Sequence, residues 1–368
     1  MRILHTEAST GWGGQEIRIL REAQAFVDKG HFVTFAVNEG GELAVRARAQ
    51  GFEVAEFPLN KKHSFQALWK LARLIKNQRI DVVNTHSSLD AWLGGLAARL
   101  TNTKIIRTRH LSTKIRPGFN SIVLYNWLAD NVVTTCQATA ETIRQQARLP
   151  ETRCCSIPTG LACEEIQVTQ DDAMAFRQRM GLISSAIVVG TLCVLRSWKG
   201  ISDLLQAAKM LSHIPQLKWI IVGDGPSAPF FRSECKKLKL ENVLFTGYEE
   251  NPYPALAAMD IFMLLSTAHE GVSQAVLQAA FLQKPLITTT TGGLGEVCIH
   301  EQTGYQVGTR SPQEIATCVE KLAQTPALRQ KLGQQAQALV EEQFSWTATI
   351  VAMEQLYARL RICSPRLT

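Results

Sequence analysis

The chain has 368 residues, which is more than one compact core usually holds and favours two domains of about 150 to 200 residues each. Apolar residues make up 46% and charged residues 19%, a composition that excludes a largely disordered chain. The net charge of +7 belongs mainly to the first half, because residues 1–165 hold 21 Lys and Arg against 15 Asp and Glu while the remainder holds 18 against 17.

Two further features of the sequence bear on where the protein works. The amino terminus lacks the basic segment and long apolar run of a secretory signal, and no run of about 18 apolar residues occurs. The nine cysteines form no CxxC pair and have no nearby histidine at zinc-finger spacing. We therefore expect a cytoplasmic protein with reduced thiols.

Short apolar strands alternate with helices through the first half of the chain. Residues 2–5 form the first predicted strand, a glycine-rich turn follows, and residues 15–29 carry apolar side chains that recur on one side of a helix. Further strands are predicted at residues 32–37, 53–56, 81–85 and 104–108, with helices around 65–76 and 90–100. This alternation predicts a parallel sheet with helices on both faces.

Near residues 154–161 the alternation changes to a short apolar strand followed by Pro158 and Gly160. The polar segment 164–172 that follows is typical of a linker. The alternation then restarts with strands at 187–194, 218–222, 243–245, 261–265 and 285–288 and helices at 201–211, 228–238 and 273–281, and the pattern is helical from 312 to 360.

We therefore predict an α/β protein with two Rossmann-like doubly wound domains, residues 1–165 and 166–345, and a terminal amphipathic helix within 346–368. Such domains bind ligands at the carboxyl ends of their strands, so we expect them to face each other across a ligand-binding cleft.

The basic charge of the first half is concentrated in residues 91–129, which contain no carboxylate. The six cations of this stretch are Arg99, Lys104, Arg107, Arg109, Lys114 and Arg116. A solvated basic face without a partner remains one interpretation. Nucleic acid is disfavoured because no recognised binding motif accompanies the charge, so a phosphate-bearing substrate or an anionic membrane fits better.

Familiar catalytic and metal-binding signatures do not occur. There is no GxGxxG, Walker A, GxSxG, HExxH or DxD motif. We therefore expect no metal site, and any bound phosphate must be held by protein cations and backbone amides.

Three glycine-rich or basic loops follow predicted strands. Gly13 and Gly14 precede the first helix, where backbone amides can approach an anion; a tight turn that needs positive φ is the alternative. Arg196 and Lys199 follow the first strand of the second domain, where two cations suit a diphosphate, although a surface loop with incidental charges would look the same. A third loop, with Gly223 and Gly225, fits either a ligand or simple turn chemistry.

The segment 266–280, STAHEGVSQAVLQAA, is the most informative. Amides at Gly271, Val272 and Ser273, before a predicted helix, are able to hold phosphate or sugar hydroxyls, and Glu270 is able to accept from a hydroxyl. Gln278 lies about 12 Å further along if the intervening residues are helical, roughly the span from a sugar to the ribose of a nucleotide-sugar. The alternative is that Glu270 is an ordinary carboxylate in the first turn of the helix and that Gln278 is a surface residue.

Several motifs in this order resemble the family 4 retaining glycosyltransferases of GT-B architecture, which include many bacterial lipopolysaccharide and capsule transferases. They are GGQEIRILREAQAFVDKGH near the start, IRTRH at 106–110, IPTGL at 157–161, LRSWKG at 195–200, IIVGDGP at 220–226, HEGVSQAVLQAA at 269–280 and GGLGEV at 292–297. The resemblance covers nearly the whole chain.

The resemblance implies that Arg196 and Lys199 neutralise the leaving diphosphate, although they lie closer together than in many relatives. It places Glu270 at the donor sugar and position 278 at the ribose. There the family usually has a second glutamate and this chain has Gln278, so we expect altered ribose recognition without loss of activity.

In the first domain the resemblance implies that Gly13 and Gly14 approach the donor phosphate and the acceptor, and that His110 lines the reaction centre. A histidine satisfied by protein contacts remains the alternative for His110, and His86 is a weaker candidate. The terminal helix is expected to pack back toward the first domain.

The resemblance therefore implies transfer of a hexose or N-acetylhexosamine from a UDP- or GDP-linked donor to a glycan or lipid-linked acceptor, with retention and without a cofactor. Residues 104–116 are expected to meet an acidic acceptor or the inner face of the cytoplasmic membrane. A nucleotide-sugar 2-epimerase of the same architecture and a non-catalytic sugar-nucleotide-binding protein remain alternatives.

Overall fold

The computed structural model describes residues 1–110, 115 and 117–362, except the side chains of Lys61, Arg361 and Ile362. They form two compact units, one of Met1–Pro158 with Thr349–Thr368 and one of Thr159–Ala348. The boundary at Pro158 falls within the stretch where the sequence pattern changes. Each unit is a parallel sheet covered by helices, as the alternating pattern predicts.

The sheet of unit 1 has seven parallel strands in the order β3-β2-β1-β4-β5-β6-β7. They are β1 (Arg2–Glu7), β2 (Phe32–Asn38), β3 (Glu53–Phe57), β4 (Val82–Thr85), β5 (Lys104–Arg109), β6 (Asn131–Thr134) and β7 (Cys154–Ser156). The central strands are buried along nearly their full length, which is why they read as apolar runs.

Within the described residues of unit 1, six α-helices connect these strands. They are α1 (Gly14–Asp28), α2 (Glu42–Ala49), α3 (Ser64–Asn77), α4 (Ser88–Leu100), α5 (Phe119–Ile122) and α6 (Gln137–Ala147). Ser87 and Asp90 form a capping box that fixes the start of α4 directly after β4. Lys114 and Arg116, two of the predicted basic residues, lie outside the described residues.

The sheet of unit 2 has six parallel strands in the order β10-β9-β8-β11-β12-β13. They are β8 (Ile187–Leu192), β9 (Leu217–Val222), β10 (Val243–Gly247), β11 (Ile261–Leu264), β12 (Leu286–Thr288) and β13 (Gly304–Gln306). The strand β8 is central, so the loop that follows it lies at the middle of the sheet's carboxyl edge.

The α-helices of unit 2 lie before, between and after these strands. They are α7 (Gln170–Arg179), α8 (Ile201–Met210), α9 (Ala228–Lys237), α10 (Tyr253–Ala258), α11 (Gln274–Phe281), α12 (Leu294–Val297), α13 (Pro312–Gln324) and α14 (Pro326–Gln343). Helix α7 begins within the predicted linker, because Thr169 and Asp172 form a capping box there.

The last helix, α15 (Trp346–Ile362), supplies core residues to unit 1. Tyr357 is buried, its ring lies 5.0 Å from that of Phe26, and its hydroxyl accepts a hydrogen bond from Asn84 at 3.0 Å. None of the helices in the described part of the chain is long and apolar enough to cross a membrane.

Candidate functional site

The loop after β8 is fixed against the loop after β11 at the carboxyl edge of the unit 2 sheet. The Thr267 amide donates to the Trp198 carbonyl at 2.8 Å. Gly200 has φ +70, and a Cβ at that position would lie 2.1 Å from the Leu265 carbonyl oxygen. Only glycine allows the two loops to approach this closely.

This approach brings together two residues that the sequence predicts for the donor site. Lys199 Nζ lies 2.5 Å from Glu270 Oε1, although 71 positions separate them in the chain. Ser266 Oγ donates to the same oxygen at 2.6 Å, and the Glu270 residue is only 6% exposed. A buried carboxylate is thus paired with a cation and a hydroxyl, and its Oε1 takes both contacts.

Arg196, the second predicted cation, is held differently. Its guanidinium lies over the Trp198 ring at 5.3 Å, and the residue is exposed. Among the described residues it has no acidic partner. Its charge is therefore available to an anion, whereas that of Lys199 is shared with Glu270.

Gly223 and Gly225 are required by packing against the loop after β8. Gly223 has φ +117, and a Cβ there would lie 2.1 Å from the Cys193 carbonyl oxygen. At Gly225 the corresponding distance to the Leu195 carbonyl oxygen is 2.6 Å. These approaches account for both glycines without a ligand, and a contact with the nucleotide stays a prediction.

The segment from Glu270 to Ser273 is not helical, and α11 begins at Gln274 with Ser273 as its N-cap. At the start of α11 the first backbone hydrogen bond is donated by the Leu277 amide to the Ser273 carbonyl at 3.0 Å. The amides at the start of the helix therefore face outward from the helix end, as an anion site would need.

Three further predicted residues lie in this segment or in the helix that follows it. Val272 is buried, with 9% exposure, and Gly271 is partly exposed. Gln278 is a partly exposed residue of α11. Because half of the interval from Glu270 to Gln278 is non-helical, the condition for the predicted spacing of about 12 Å does not hold.

Gly292, in the loop after β12, supports the same segment. Its φ is +61, and a Cβ there would lie 1.8 Å from the Glu270 carbonyl oxygen. The GGLGEV motif thus begins with a glycine that lets a third loop touch the backbone of Glu270.

In unit 1, Gly13 is the N-cap of α1 in an extended conformation with φ −162, and Gly14 is the first helical residue. The interpretation of a turn that needs positive φ is therefore wrong for both. A Cβ at Gly14 would meet nothing within 4 Å, and one at Gly13 would meet only Glu16 Oε2 at 3.6 Å. Packing within the unit therefore does not demand glycine at either position.

Glu7 lies at the end of β1 beside this loop. It is fully buried, it accepts from the Ser9 amide at 2.7 Å and from the Gln15 side chain, and burial raises its pKa to about 7. Nothing in the sequence singles out this carboxyl group, because its strand reads as apolar.

His110 follows β5, and the structure places it in contact with His86, which follows β4. Nδ1 of His86 lies 2.9 Å from Nε2 of His110, and Nε2 of His86 lies 2.8 Å from Nδ1 of His5. His5 and His86 are buried, and His110 is partly exposed. His86, the weaker sequence candidate, thus links the predicted site residue to a third histidine that the sequence did not single out.

The predicted basic stretch does not form one surface. Arg107 is only 4% exposed, and its positive charge opposes the rise that burial causes in the pKa of Asp90. Arg99 pairs with Asp130 at 2.9 Å. Arg107 is therefore a core residue, because it lies in a central strand with helices on both sides, and it cannot meet a membrane.

No group of three or more His, Cys, Asp or Glu side chains within the described ranges could hold a metal ion.

Two family models together cover most of the chain. "Glycosyltransferase Family 4" matches residues 12–165, and "Glycosyl transferases group 1" matches residues 175–339. The chain belongs to the family 4 glycosyltransferases. The transferase has the GT-B fold, because it consists of two parallel-sheet units and matches solved glycosyltransferases over nearly its whole length.

Similar solved structures include a glycosyltransferase from Rickettsia africae, with TM-score 0.88, 21% identity and 99% of each chain covered. Anabaena HepE in complex with UDP gives TM-score 0.85 at 21% identity, over 98% of this chain and all of the other. These likenesses show the fold of the transferase.

Among sequence relatives, the N-acetyl-alpha-D-glucosaminyl L-malate synthase of Bacillus anthracis is 25% identical over 78% of this chain and 77% of its own length. The capsular polysaccharide biosynthesis glycosyltransferase CapM of Staphylococcus aureus is 24% identical over 79% of this chain and 80% of its own.

Proposed function

We propose that the transferase moves a hexose or N-acetylhexosamine from a UDP- or GDP-linked donor to a glycan or lipid-linked acceptor in cell-surface polysaccharide or lipopolysaccharide synthesis. It does so in the cytoplasm or at the inner face of the cytoplasmic membrane, without a metal ion or other cofactor. The observation that carries this proposal is the arrangement of Arg196, Lys199 and Glu270 at the carboxyl edge of unit 2.

The donor diphosphate would meet two cations of different character. Arg196 is exposed and free of acidic partners among the described residues, so it suits the phosphates directly. Lys199 is already oriented by Glu270, and the amides at the start of α11 add partial positive charge. Charge that develops on the leaving diphosphate would be stabilised without reorganisation of the site.

Glu270 would hold the donor sugar. Its Oε1 is engaged by Lys199 and Ser266, which leaves Oε2 to accept from a sugar hydroxyl. Gln278 would bond a ribose hydroxyl in place of the family's second glutamate. UDP is the donor nucleotide with most support, because the solved structures of HepE contain UDP, UDP with glucose, or UDP-glucose.

In the reaction the bond between the anomeric carbon and the phosphate oxygen breaks as the acceptor oxygen bonds to the same face. The acceptor hydroxyl gives its proton to the departing phosphate oxygen, so no protein nucleophile is needed. In unit 1, Gly14 would admit a close anionic or hydroxyl group, since a Cβ there would meet no protein atom within 4 Å. Beside Gly13 the same space is bordered by Glu16 Oε2 at 3.6 Å, which would accept from a hydroxyl group.

A donor panel tests this proposal. The transferase is incubated in EDTA with radiolabelled UDP- and GDP-sugars and a mixed pool of lipid-linked glycans. We expect label to enter the glycan from one donor. Label that never enters any acceptor, or a donor sugar that is epimerised without acceptor, would overturn the proposal, and the second result would favour the epimerase.

Helix α3 supports contact with an anionic membrane. Residues 57–80 contain six cations and no carboxylate. On the outer face of α3, Phe65 is 74% and Trp69 is 60% exposed, and their rings pack edge to face at 6.2 Å. Lys70 and Arg73 follow these rings along α3, are also exposed, and have no acidic partner among the described residues. Exposed aromatic rings between cations are typical of a helix that lies in a membrane interface.

We expect the transferase to bind vesicles of phosphatidylcholine and phosphatidylglycerol and to release them in high salt. Lys70→Glu with Arg73→Glu should weaken this binding at least tenfold, since each cation near an anionic surface contributes about 1 kcal/mol. Lys236→Glu with Lys237→Glu is the matched control, because these two exposed lysines lie on helix α9 of unit 2. Equal flotation of the double variant and the wild type would show that α3 is not the contact.

A further inference from the structure

Three histidines of unit 1 form a hydrogen-bonded row, defined here as the histidine row: His5, His86 and His110. Nδ1 of His5 lies 2.8 Å from Nε2 of His86, and Nδ1 of His86 lies 2.9 Å from Nε2 of His110. Adjacent ring centroids are 5.1 and 5.2 Å apart. Only His110 is partly exposed, so the row runs from the core to the end that substrate can reach.

The surroundings of the three rings favour their neutral forms. Burial lowers the pKa of His5 to about 3 and lowers the pKa values of His86 and His110 well below their usual range. The positive charges of Arg18 and Arg107 act in the same direction on His86 and His110. A proton taken up by His110 would add a positive charge near these two arginines, which argues against His110 as a general base.

Neutrality couples the tautomers of the three rings. A neutral imidazole carries one N–H, so one of its nitrogens donates and the other accepts. His86 uses both nitrogens in the row, and it must therefore donate to one neighbour and accept from the other. The row has only two arrangements, and all three protons are in different places in each.

The buried end selects between these two arrangements. Nε2 of His5 is buried and has no hydrogen-bond partner among the described residues. In one arrangement this nitrogen is an N–H without an acceptor, and in the other it is a lone pair without a donor. Buried N–H groups without acceptors are the rarer case in folded proteins, so His5 donates from Nδ1, His86 donates from Nδ1, and His110 carries its proton on Nδ1.

We propose that His5 and His86 are positioning residues that hold His110 in the Nδ1–H tautomer, so that His110 presents a hydrogen-bond donor to an oxygen of the substrate. This inference rests on the proposed function only in that substrate reaches His110. The donor would favour an oxygen that gains negative charge during transfer, such as a phosphate oxygen or the oxygen of a polarised hydroxyl.

Long-range 15N–1H correlation spectra of histidine-labelled protein test the tautomers without any substrate. We expect three neutral rings, with the His110 proton on Nδ1 in the wild type and a mixture of tautomers in His5→Phe. A wild-type His110 that carries its proton on Nε2, or that is charged at neutral pH, would overturn the proposal, as would a His110 spectrum unchanged in His5→Phe. These results are independent of whether sugar transfer is found.

Kinetics separate a positioning role from a loss of packing. His5→Phe should lower kcat about tenfold with little change in the donor KM, the size expected for one weakened hydrogen bond. His5→Asn should restore most of that rate, because its amide can donate from the position of Nδ1. Phe35→Leu is the control, because the Phe35 ring stacks on His5 at 5.8 Å without taking part in the row. An equal loss in His5→Phe and Phe35→Leu would overturn the proposal.

Discussion

Replacement of Lys199 by alanine is expected to lower kcat/KM for sugar transfer about 100- to 1,000-fold. The ammonium group of Lys199 lies 2.5 Å from Glu270 and would stabilise the leaving diphosphate. Its removal also leaves the carboxylate of Glu270, whose side chain is 7% exposed, without a cation. An uncompensated buried charge of this kind costs about 3 to 5 kcal/mol, so we expect unit 2 to be destabilised as well.

Two variants separate the loss of activity from the loss of stability. Lys199→Met with Glu270→Gln removes both charges, and it should recover most of the free energy of unfolding while activity stays low. Lys284→Ala is the matched control, because Lys284 is a half-buried lysine of unit 2 that donates to the Ala257 carbonyl at 2.8 Å, outside the predicted donor site. We expect that control to lose stability and keep its kcat. A Lys199→Ala enzyme with wild-type kcat/KM would remove Lys199 from the donor site.

Gly292→Ala is expected to lower the free energy of unfolding of unit 2 by about 3 to 5 kcal/mol and to abolish most activity. A methyl group would lie 1.8 Å from the Glu270 carbonyl oxygen, and the φ of +61 is unfavourable for alanine. The backbone of Glu270 must then move, and with it the carboxylate that pairs with Lys199.

Gly181→Ala provides a matched control for the backbone strain alone. Gly181 also lies in unit 2, its φ is +67, and a Cβ there would meet nothing within 4 Å. We expect a cost of about 1 kcal/mol and normal activity. Thermal unfolding and the transfer assay measure both effects. Equal losses in the two variants would show that strain alone matters and that Gly292 does not support Glu270.

The strands and longer helices could be predicted because their apolar patterns are local. Two parallel sheets follow from the alternating strands and helices, although the seven and six strands of the structure exceed the number that the sequence predicts. The strands β6 and β13 were missed because four and three residues are too few to show a period. The helices α2 and α6 were missed because two of the three residues that each one buries are alanines, which make a weak apolar pattern. The start of α7 was missed because its first turn is polar, and a capping box at Thr169 and Asp172, which determines that start, looks like a linker in sequence.

The contacts of the candidate site depend on distant parts of the chain. Lys199 and Glu270 were each singled out by their loops, but their ion pair spans 71 positions and follows only from the order of the strands. The histidine row joins His5 and His86 across 81 positions for the same reason. Charge counting also misplaced Arg107, because a count along the sequence does not show that the residue points into the core.

The configuration of the product is the sharpest test of transfer with retention and without a metal ion. The transferase is given an α-linked nucleotide-sugar, labelled with 13C at the anomeric carbon, together with the acceptor found in the donor panel, in EDTA, and the first product is followed by NMR. We expect an α-linked product that forms without metal, together with release of the nucleoside diphosphate. A β-linked first product, or transfer that requires added magnesium, would overturn the proposed function.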